Sequence, residues 1–473
     1  MPDTRLLDPG FTPAGEDAWR ALVAKTLGDK PFESLQKATA EGLPIQPLYA
    51  QAERPAAFPP RPFDAGRPWD IRTLTAHPDP ARANAEALAD LEGGAASVVV
   101  KIDPTGEAGV AVGSADGLGR VLKDVILELA PVGLDAGFLG PKAADWLHAL
   151  AKSSPGAKLN FNLDPLSAFA ETGQSPGPIE SHLISAATVA MRLSQPYPQG
   201  QLFLASGRVV HEAGGGEALE VAFAAAAAVA YAKALVRAGL PMAEAFARIT
   251  LGLSADADYF LTIAKLRAAR AIWARIASAC GAPPQARIEA RSSRRMLAAK
   301  DAFTNMIRLT AAGFGAAVGG ADAVLLGNFT DALGLPTAFA RRQSRNTQLV
   351  LMEEAGIGRV ADPAAGSGYI EALTDEIARA AWARFQTIEA GGGLVAALTN
   401  GDVAREVEAA NAARGELKIV GVTAFPPTEE APVEVEKAAA QPVQAPDARL
   451  PGPDGRCRPL KPMRLSEKYE AAQ

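Results

Sequence analysis

The residues able to do chemistry fall where short apolar runs give way to loops. They are Lys101 and Asp103, Asn162 and Asp164, Arg208 and His211, Asp256 and Asp258, Arg291, Asn328 and Asp331, and Glu353 and Glu354. Carboxylates near a histidine, lysine or arginine are the raw material of general acid–base catalysis. The same residue types also cap helices, and capping is the preferred reading for Asp256 and Asp258. The four histidines are His77, His148, His182 and His211. None forms an i,i+4 metal pair or an HExxH motif. His148 and His182 lie on expected helices. His211 follows an expected strand, where a hydrogen-bonded loop histidine explains it at least as well as a general acid. The glycine-rich stretches 113–119, 214–216, 313–320 and 366–368 lack the phosphate-cradling GxxxxGKS or GxxxxGKT pattern. AGSGY (365–369) is no nucleophile elbow, because Ala365 occupies the first glycine position. Cys280 and Cys457 have no adjacent activating histidine and read as inert. On these grounds no residue is assigned as catalytic, cofactor-binding or metal-binding.

The elements that would carry these residues alternate. β-rich runs stand at 97–102, 134–139, 158–163, 202–206, 248–253, 286–291, 323–327 and 349–353. Helical stretches separate most of them: one with Leu118, Val121, Leu122, Val125 and Leu129 on one face, then 143–152, 180–193, 217–238, 257–280 and 297–313. A last helix covers 370–391. Eight strands alternating with helices predict a parallel sheet, and eight closes a (β/α)8 TIM barrel. A doubly wound open sheet is the rival, but no glycine fingerprint follows the first run. The barrel is expected over 67–400, with a closing segment at 401–426. Before it lies an arm, 1–66, with amphipathic pieces at 16–27 and 31–40 and a proline-rich stretch, 55–62, expected to run extended. After it, 427–473 reads as a Pro/Ala/Glu-rich linker and a short basic tail, suited to docking.

Composition narrows the classes. The chain has 473 residues, of which 48% are hydrophobic and 21% charged, so it can bury a large core. Its net charge of -6 argues against a nucleic-acid partner. The longest uncharged apolar stretch, 221–232, is too short to span a bilayer, which needs about 20 apolar residues, so no membrane role is expected. No signal peptide opens the chain, and two cysteines give no disulfide framework. A cytoplasmic location is expected.

Several long motifs resemble the adenosylcobalamin-dependent acyl-CoA mutases, above all methylmalonyl-CoA mutase. They are FLTIAKLRAARAIWARI (260–276), LPTAFARRQSRNTQLVLMEEAGIGRVADPAAGSGYIEALT (335–374) and AWARFQTIEAGGG (381–393). RPWDIR (67–72) resembles the family's RPWTIR, and IVGVTAFP (419–426) its closing segment. The resemblance spans about 40–426 and implies a (β/α)8 catalytic domain.

The departures from the family pattern are informative. The family's catalytic chain continues RPWTIR into QYAGF, whose tyrosine meets the substrate; here TLTAH follows and Leu74 takes that position. Its GYHMQEAGA supplies a histidine where SGRVVHEAGG has Val209, with His211 two residues on. The RNTY segment with its substrate-binding arginine has no counterpart around LNFNLDPLSA. No cobalamin-binding domain with its DxHxxG motif is present, although MRLSEKYE (463–470) is similar to the lead-in to one. Arg67 matches a CoA-contacting arginine and Glu354 lies in the EES-like segment near the cofactor; both read as vestigial, Arg67 rather as an interface or helix-cap residue. The Val-, Leu-, Phe- and Ile-rich strands suggest a barrel filled with apolar side chains. Together the resemblance and its departures imply the small, non-catalytic subunit of a heterodimeric methylmalonyl-CoA mutase. The arm would wrap the catalytic large subunit, which would carry the adenosylcobalamin and bind the acyl-CoA. A substrate-binding barrel of a split mutase that recruits a separate cobalamin-binding chain is the alternative. An assembly factor is disfavoured because no P-loop is found.

Overall fold

A computed structural model describes residues 15–50, 61, 64, 66–444 and 455–471. The arm begins with a helix, Glu16–Leu27, that buries none of its residues. A 3-10 turn, Phe32–Leu35, and a small antiparallel ladder of β1 (Lys37–Ala38) and β2 (Pro44–Ile45) follow. Apart from Arg61, the proline-rich stretch from 55 to 62 falls on residues outside those described. Glu41 ties the arm to the main body. Its carboxylate accepts the backbone N–H groups of Ala218 at 2.8 Å and Leu219 at 3.0 Å, two orphan donors at the start of the helix Glu217–Arg237.

The body is a closed parallel barrel. Its strands are β3 (Asp70–Thr75), β4 (Ser97–Lys101), β5 (Val132–Asp135), β6 (Leu159–Leu163), β7 (Gln201–Ser206), β8 (Ile249–Ala255), β9 (Ile288–Ser292) and β10 (Ala323–Leu325). They pair in the order β10-β3-β4-β5-β6-β7-β8-β9, and β9 pairs with β10 to close the ring. The expected (β/α)8 architecture is therefore present, but one of its strands was not expected and one expected run is no strand. The first strand is the DIRTLT run that begins in the RPWDIR motif, whose charges hid its extended character. The run 349–353 is not a strand. Thr337 caps the helix Ala338–Leu349, which continues into a π-helical turn, Val350–Glu354. Short apolar runs do not separate strand from helix by period. The expected helix 297–313 starts later, at Asn305, because the chain after β9 first loops through a left-handed Asp301.

The helix Glu217–Arg237 is long and apolar enough to cross a membrane by composition, yet 72% of its most apolar window is buried inside the fold. It packs against β7, β8 and the helices Tyr259–Ala279 and Gly368–Ala390. That is the position of a core helix of a large barrel.

Ion pairs, beside a few apolar side chains such as Val99, occupy the barrel interior. Alternate residues of a strand face opposite sides, so Val98, Val100, Leu134, Ile288 and Ala290 pack outward under the helices. Their inward neighbours are mostly polar, with the apolar Val99 among them against Gly133. Arg72 donates to Glu289 at 2.6 Å, to Asp70 at 2.6 Å and to Ser97 at 2.9 Å. Arg291 donates to Glu289 at 2.8 Å and, from its other side, to Asp135 at 2.8 Å. In the closed ring β9 and β5 lie opposite each other, so the Arg291–Asp135 bridge spans the axis. The expected apolar filling is thus corrected: the barrel is filled, but largely by an ion-pair plug. Both faces of a parallel barrel strand are buried, so apolar richness does not say which face holds the apolar residues.

The described residues beyond 426 pack on the chain's own barrel. Glu436 N–H bonds the Leu335 carbonyl at 2.9 Å, and Val443 N–H that of Pro104 at 2.8 Å. Further on, Cys457, Leu460, Met463 and Leu465 N–H groups donate to the carbonyls of Gly173, Ala170, Glu212 and Arg295. These acceptors follow β4, β6, β7, β9 and β10, so the tail runs around the mouth at the C-terminal strand ends.

Candidate functional site

In a barrel of this class that mouth is where reaction sites form. It holds a cavity of about 750 Å³, lined by Leu74 and Lys101 at strand ends, by His77, Arg294 and Asn328 on loops, and walled by Glu436 of the tail. Leu74 thus stands in the cavity, and its carbonyl accepts from Arg341 at 3.2 Å. Val209 is buried, on the short helix Arg208–Glu212 that follows β7.

The candidate residues separate into distinct settings. Lys101, Asn328 and Asp331 border the cavity. Asp331 accepts from the Asn328 backbone at 2.9 Å and its side chain at 3.2 Å, which makes it a turn-former. Asp103 likewise accepts from Thr105 and Ala108 within its own loop. Asp258 caps the helix Tyr259–Ala279 through Leu261 N–H at 3.2 Å, as expected. Asp256 does not share that role: it accepts from Arg295 at 2.8 Å and lies 3.1 Å from His211 Nε2. Burial opposes its charge, but Arg295 and His211 outweigh this and hold its carboxyl well below the usual range. Glu353 and Glu354 sit exposed on the π-helical turn, away from any strand end. Arg67 is exposed, with its backbone N–H on Asp64 at 3.2 Å.

His211 is fully buried rather than presented to the mouth. Its Nε2 also meets Ser293 Oγ at 3.1 Å, and its Nδ1 is 3.2 Å from Glu220 Oε2 without hydrogen-bond alignment. Glu220 in turn takes Lys265 Nζ at 2.6 Å, and both are sealed from solvent. Burial would raise the Glu220 carboxyl, but Lys265 and then His211 outweigh it and hold it at about 2. The other histidines are engaged as well. His77 Nδ1 accepts from Asp79 at 3.1 Å, His148 meets Tyr197 at 3.0 Å, and His182 meets the Pro176 carbonyl at 3.2 Å.

Asp164 is of a third kind. It accepts from Tyr231 Oη at 2.5 Å and caps the helix Pro165–Thr172 through Ser167. Burial pushes its carboxyl up to about 7, although these hydrogen bonds pull the other way. A folded-state value above the unfolded one means that the bound proton stabilises the fold fully below about pH 4. That contribution is lost as the pH rises through 7. Asp164→Asn is expected to flatten the stability profile across this window, measured as urea midpoints against pH. An unchanged slope would contradict the assignment.

Sequence reasoning missed Arg72, Asp135, Glu220, Lys265, Glu289, Ser293 and Arg295. A signal existed for some: Asp70/Arg72 and Glu289/Arg291 are charges two apart in otherwise buried strands. That spacing places both on one face.

Fold and mouth together describe a (β/α)8 barrel of mutase type whose axis is crossed by an ion pair and whose tail rims its own mouth. Residues 61–449 match the sequence family described as methylmalonyl-CoA mutase, and the chain belongs to that family. It is similar to the methylmalonyl-CoA mutase small subunit of Streptomyces virginiae, 39% identical over 474 residues, covering 93% of this chain and 75% of the relative. The probable small subunit of Mycobacterium tuberculosis (strain ATCC 25618 / H37Rv) is 39% identical over 429 residues, covering 85% and 68%. That of Propionibacterium freudenreichii subsp. shermanii is 34% identical over 479 residues, covering 94% and 73%.

Proposed function

We propose that this chain is the small, structural subunit of a methylmalonyl-CoA mutase and does no chemistry itself. It holds a larger catalytic chain that carries adenosylcobalamin and binds the acyl-CoA, and the pair interconverts methylmalonyl-CoA and succinyl-CoA. The observation that carries this reading is the Arg291–Asp135 bridge, which crosses the axis where a substrate running along it would have to pass. The small-subunit names of its relatives support the same reading. The residues at the mouth do not fit the cofactor. A cobalt ligand needs an imidazole nitrogen free to point at the metal; His77, which lines the cavity, has Asp79 N–H on Nδ1 and Glu436 at 3.6 Å from Nε2, and His211 beneath it has Asp256 and Ser293 at Nε2 and Glu220 beside Nδ1. We place the complex in the cytoplasm, in keeping with the exposed free Cys280.

The arm supplies the partner surface. The helix Glu16–Leu27 buries nothing within this chain, and its Leu22 is exposed. Removing residues 1–30 is expected to leave the thermal midpoint within about 2 °C, since surface changes cost little, and to weaken capture of the large subunit at least tenfold. Unchanged capture would remove the arm from the account. The non-catalytic claim is tested by turnover. The isolated chain, given cofactor and methylmalonyl-CoA, is expected to be inactive, and Leu74→Tyr with Val209→His is expected to restore nothing. Turnover by the unaltered chain would overturn the proposal.

A further inference from the structure

Around Asp135, at the mouth end of the axial plug, donors outnumber acceptors. Arg208, the first residue of the helix after β7, forms no hydrogen bond or ion pair with any described residue, and its Nε is sealed from solvent. Arg291 spends Nε on Glu289 and Nη1 on Asp135, but its Nη2 is buried without an acceptor. Asn162 stands on the irregular stretch of β6 with φ 48°, and its buried Nδ2 is also unpartnered. That amide lies inside the barrel above Gly133, where a Cβ on the glycine would sit 3.2 Å from it. Asp135 follows one pleat later on the same strand, and Lys101 is its register partner on β4. Arg291 and Asn162 are only 4% and 8% exposed, so bulk water does not satisfy them.

The nearby carboxylates are already used. Glu289 holds Arg72 and Arg291, and Glu212 accepts the N–H groups of Arg294 and Arg295 at 3.2 Å each. Glu171 is exposed and makes no ion pair with Arg208. Arg208 is only partly buried, but its Nε and the Arg291 Nη2 are sealed donors without an acceptor, and buried donors left unmet are costly. Burial, then Arg291, lowers the affinity of Arg208 for its proton, although Asp135, Glu212 and Glu289 pull the other way.

We propose that Arg208, with Arg291 Nη2, Asn162 Nδ2 and Lys101, forms a binding site for one small oxyanion beside Asp135. Entry is from the mouth cavity, which Lys101 borders. The anion supplies the acceptors that the plug lacks, in the planar, bidentate manner that a guanidinium favours. The site stands whether or not the chain pairs with a larger subunit.

The test uses the full chain, with inorganic phosphate and acetate as probes against chloride at constant ionic strength. Phosphate at a hundredfold excess over its Kd is expected to raise the thermal midpoint by about 3 °C, and Arg208→Met to abolish this shift. General salting stabilises both proteins alike, so an equal response in both would overturn the proposal, as would no response to either probe in the unaltered chain. An acetate response larger than the phosphate one identifies the ligand as a carboxylate. Should Arg208→Met fail to fold, Asn162→Ala and Lys101→Met are each expected to weaken the probe's affinity at least fivefold by titration calorimetry. Unchanged affinity in both would overturn it.

Discussion

Asp135→Ala is expected to destabilise the chain by about 1–3 kcal/mol, the usual cost of leaving a buried donor without its acceptor, because Arg291 keeps Glu289 and the Asp135 side chain is 36% exposed. Asp135 receives Arg291 across the axis, and Lys101 and Arg208 add to the positive field around it. Burial would raise its carboxyl, but Arg291 and then Lys101 outweigh this and hold it at about 2. Removing the carboxylate leaves Arg291 with Glu289 alone, its Nη1 without an acceptor and facing those two cations. Arg291→Met combined with Asp135→Leu is expected to recover most of the loss, because both charges leave together. The double-mutant cycle would then show a coupling well above that of distant sites. Urea midpoints read all three variants. A loss below about 1 kcal/mol for Asp135→Ala, typical of a solvated surface pair, would mean that the bridge does not plug the axis.

The second large effect lies under the mouth. Glu220→Ala is expected to cost at least as much, because it strands Lys265 and His211, both fully buried, and removes the acceptor of Ser254 N–H. The same cluster governs acid stability. Glu220, Asp135 and Glu289 are each held at about 2, below the ordinary carboxylate range. For Glu289 the lowering comes against burial, from Arg291 and Arg72. Depressed folded-state values mean that this stabilisation is fully present above about pH 4.5 and lost as the pH falls towards 2. The unaltered chain is expected to lose stability steeply across that window, and Glu220→Gln to remove part of the slope. A profile flat down to pH 2.5 would contradict the ion-pair reading.

Much of the architecture was legible because helix faces and β-rich runs alternate with clear periods. The runs at 97–102, 158–163 and 202–206 each lie within a residue of a barrel strand. The strand number came out at eight because the omission of Asp70–Thr75 was balanced by the run at 349–353. A buried strand that carries Asp70 and Arg72 looks polar in sequence, since the partners that neutralise it lie on other strands. The plug was illegible for the same reason. Arg291 and Asp135 are 156 residues apart, and only ring closure brings them together. Glu220 and Lys265 are 45 residues apart on two helices, so neither sequence neighbourhood hints at the other. His211 follows a strand, as a mouth histidine would, but the short helix after β7 turns it inward onto Glu220 and Asp256. The tail's path depends on backbone hydrogen bonds, to which composition is blind.

The central claim is that this barrel is built to be held by, and to hold, a second and larger chain. The most direct measurement is the mass, by light scattering, of the complex purified after co-expression with the cobalamin-binding large mutase subunit of the same genome. The account predicts a one-to-one heterodimer. A homodimer of this chain that leaves the large subunit behind would contradict it, and would favour a split enzyme with a separate cobalamin-binding partner.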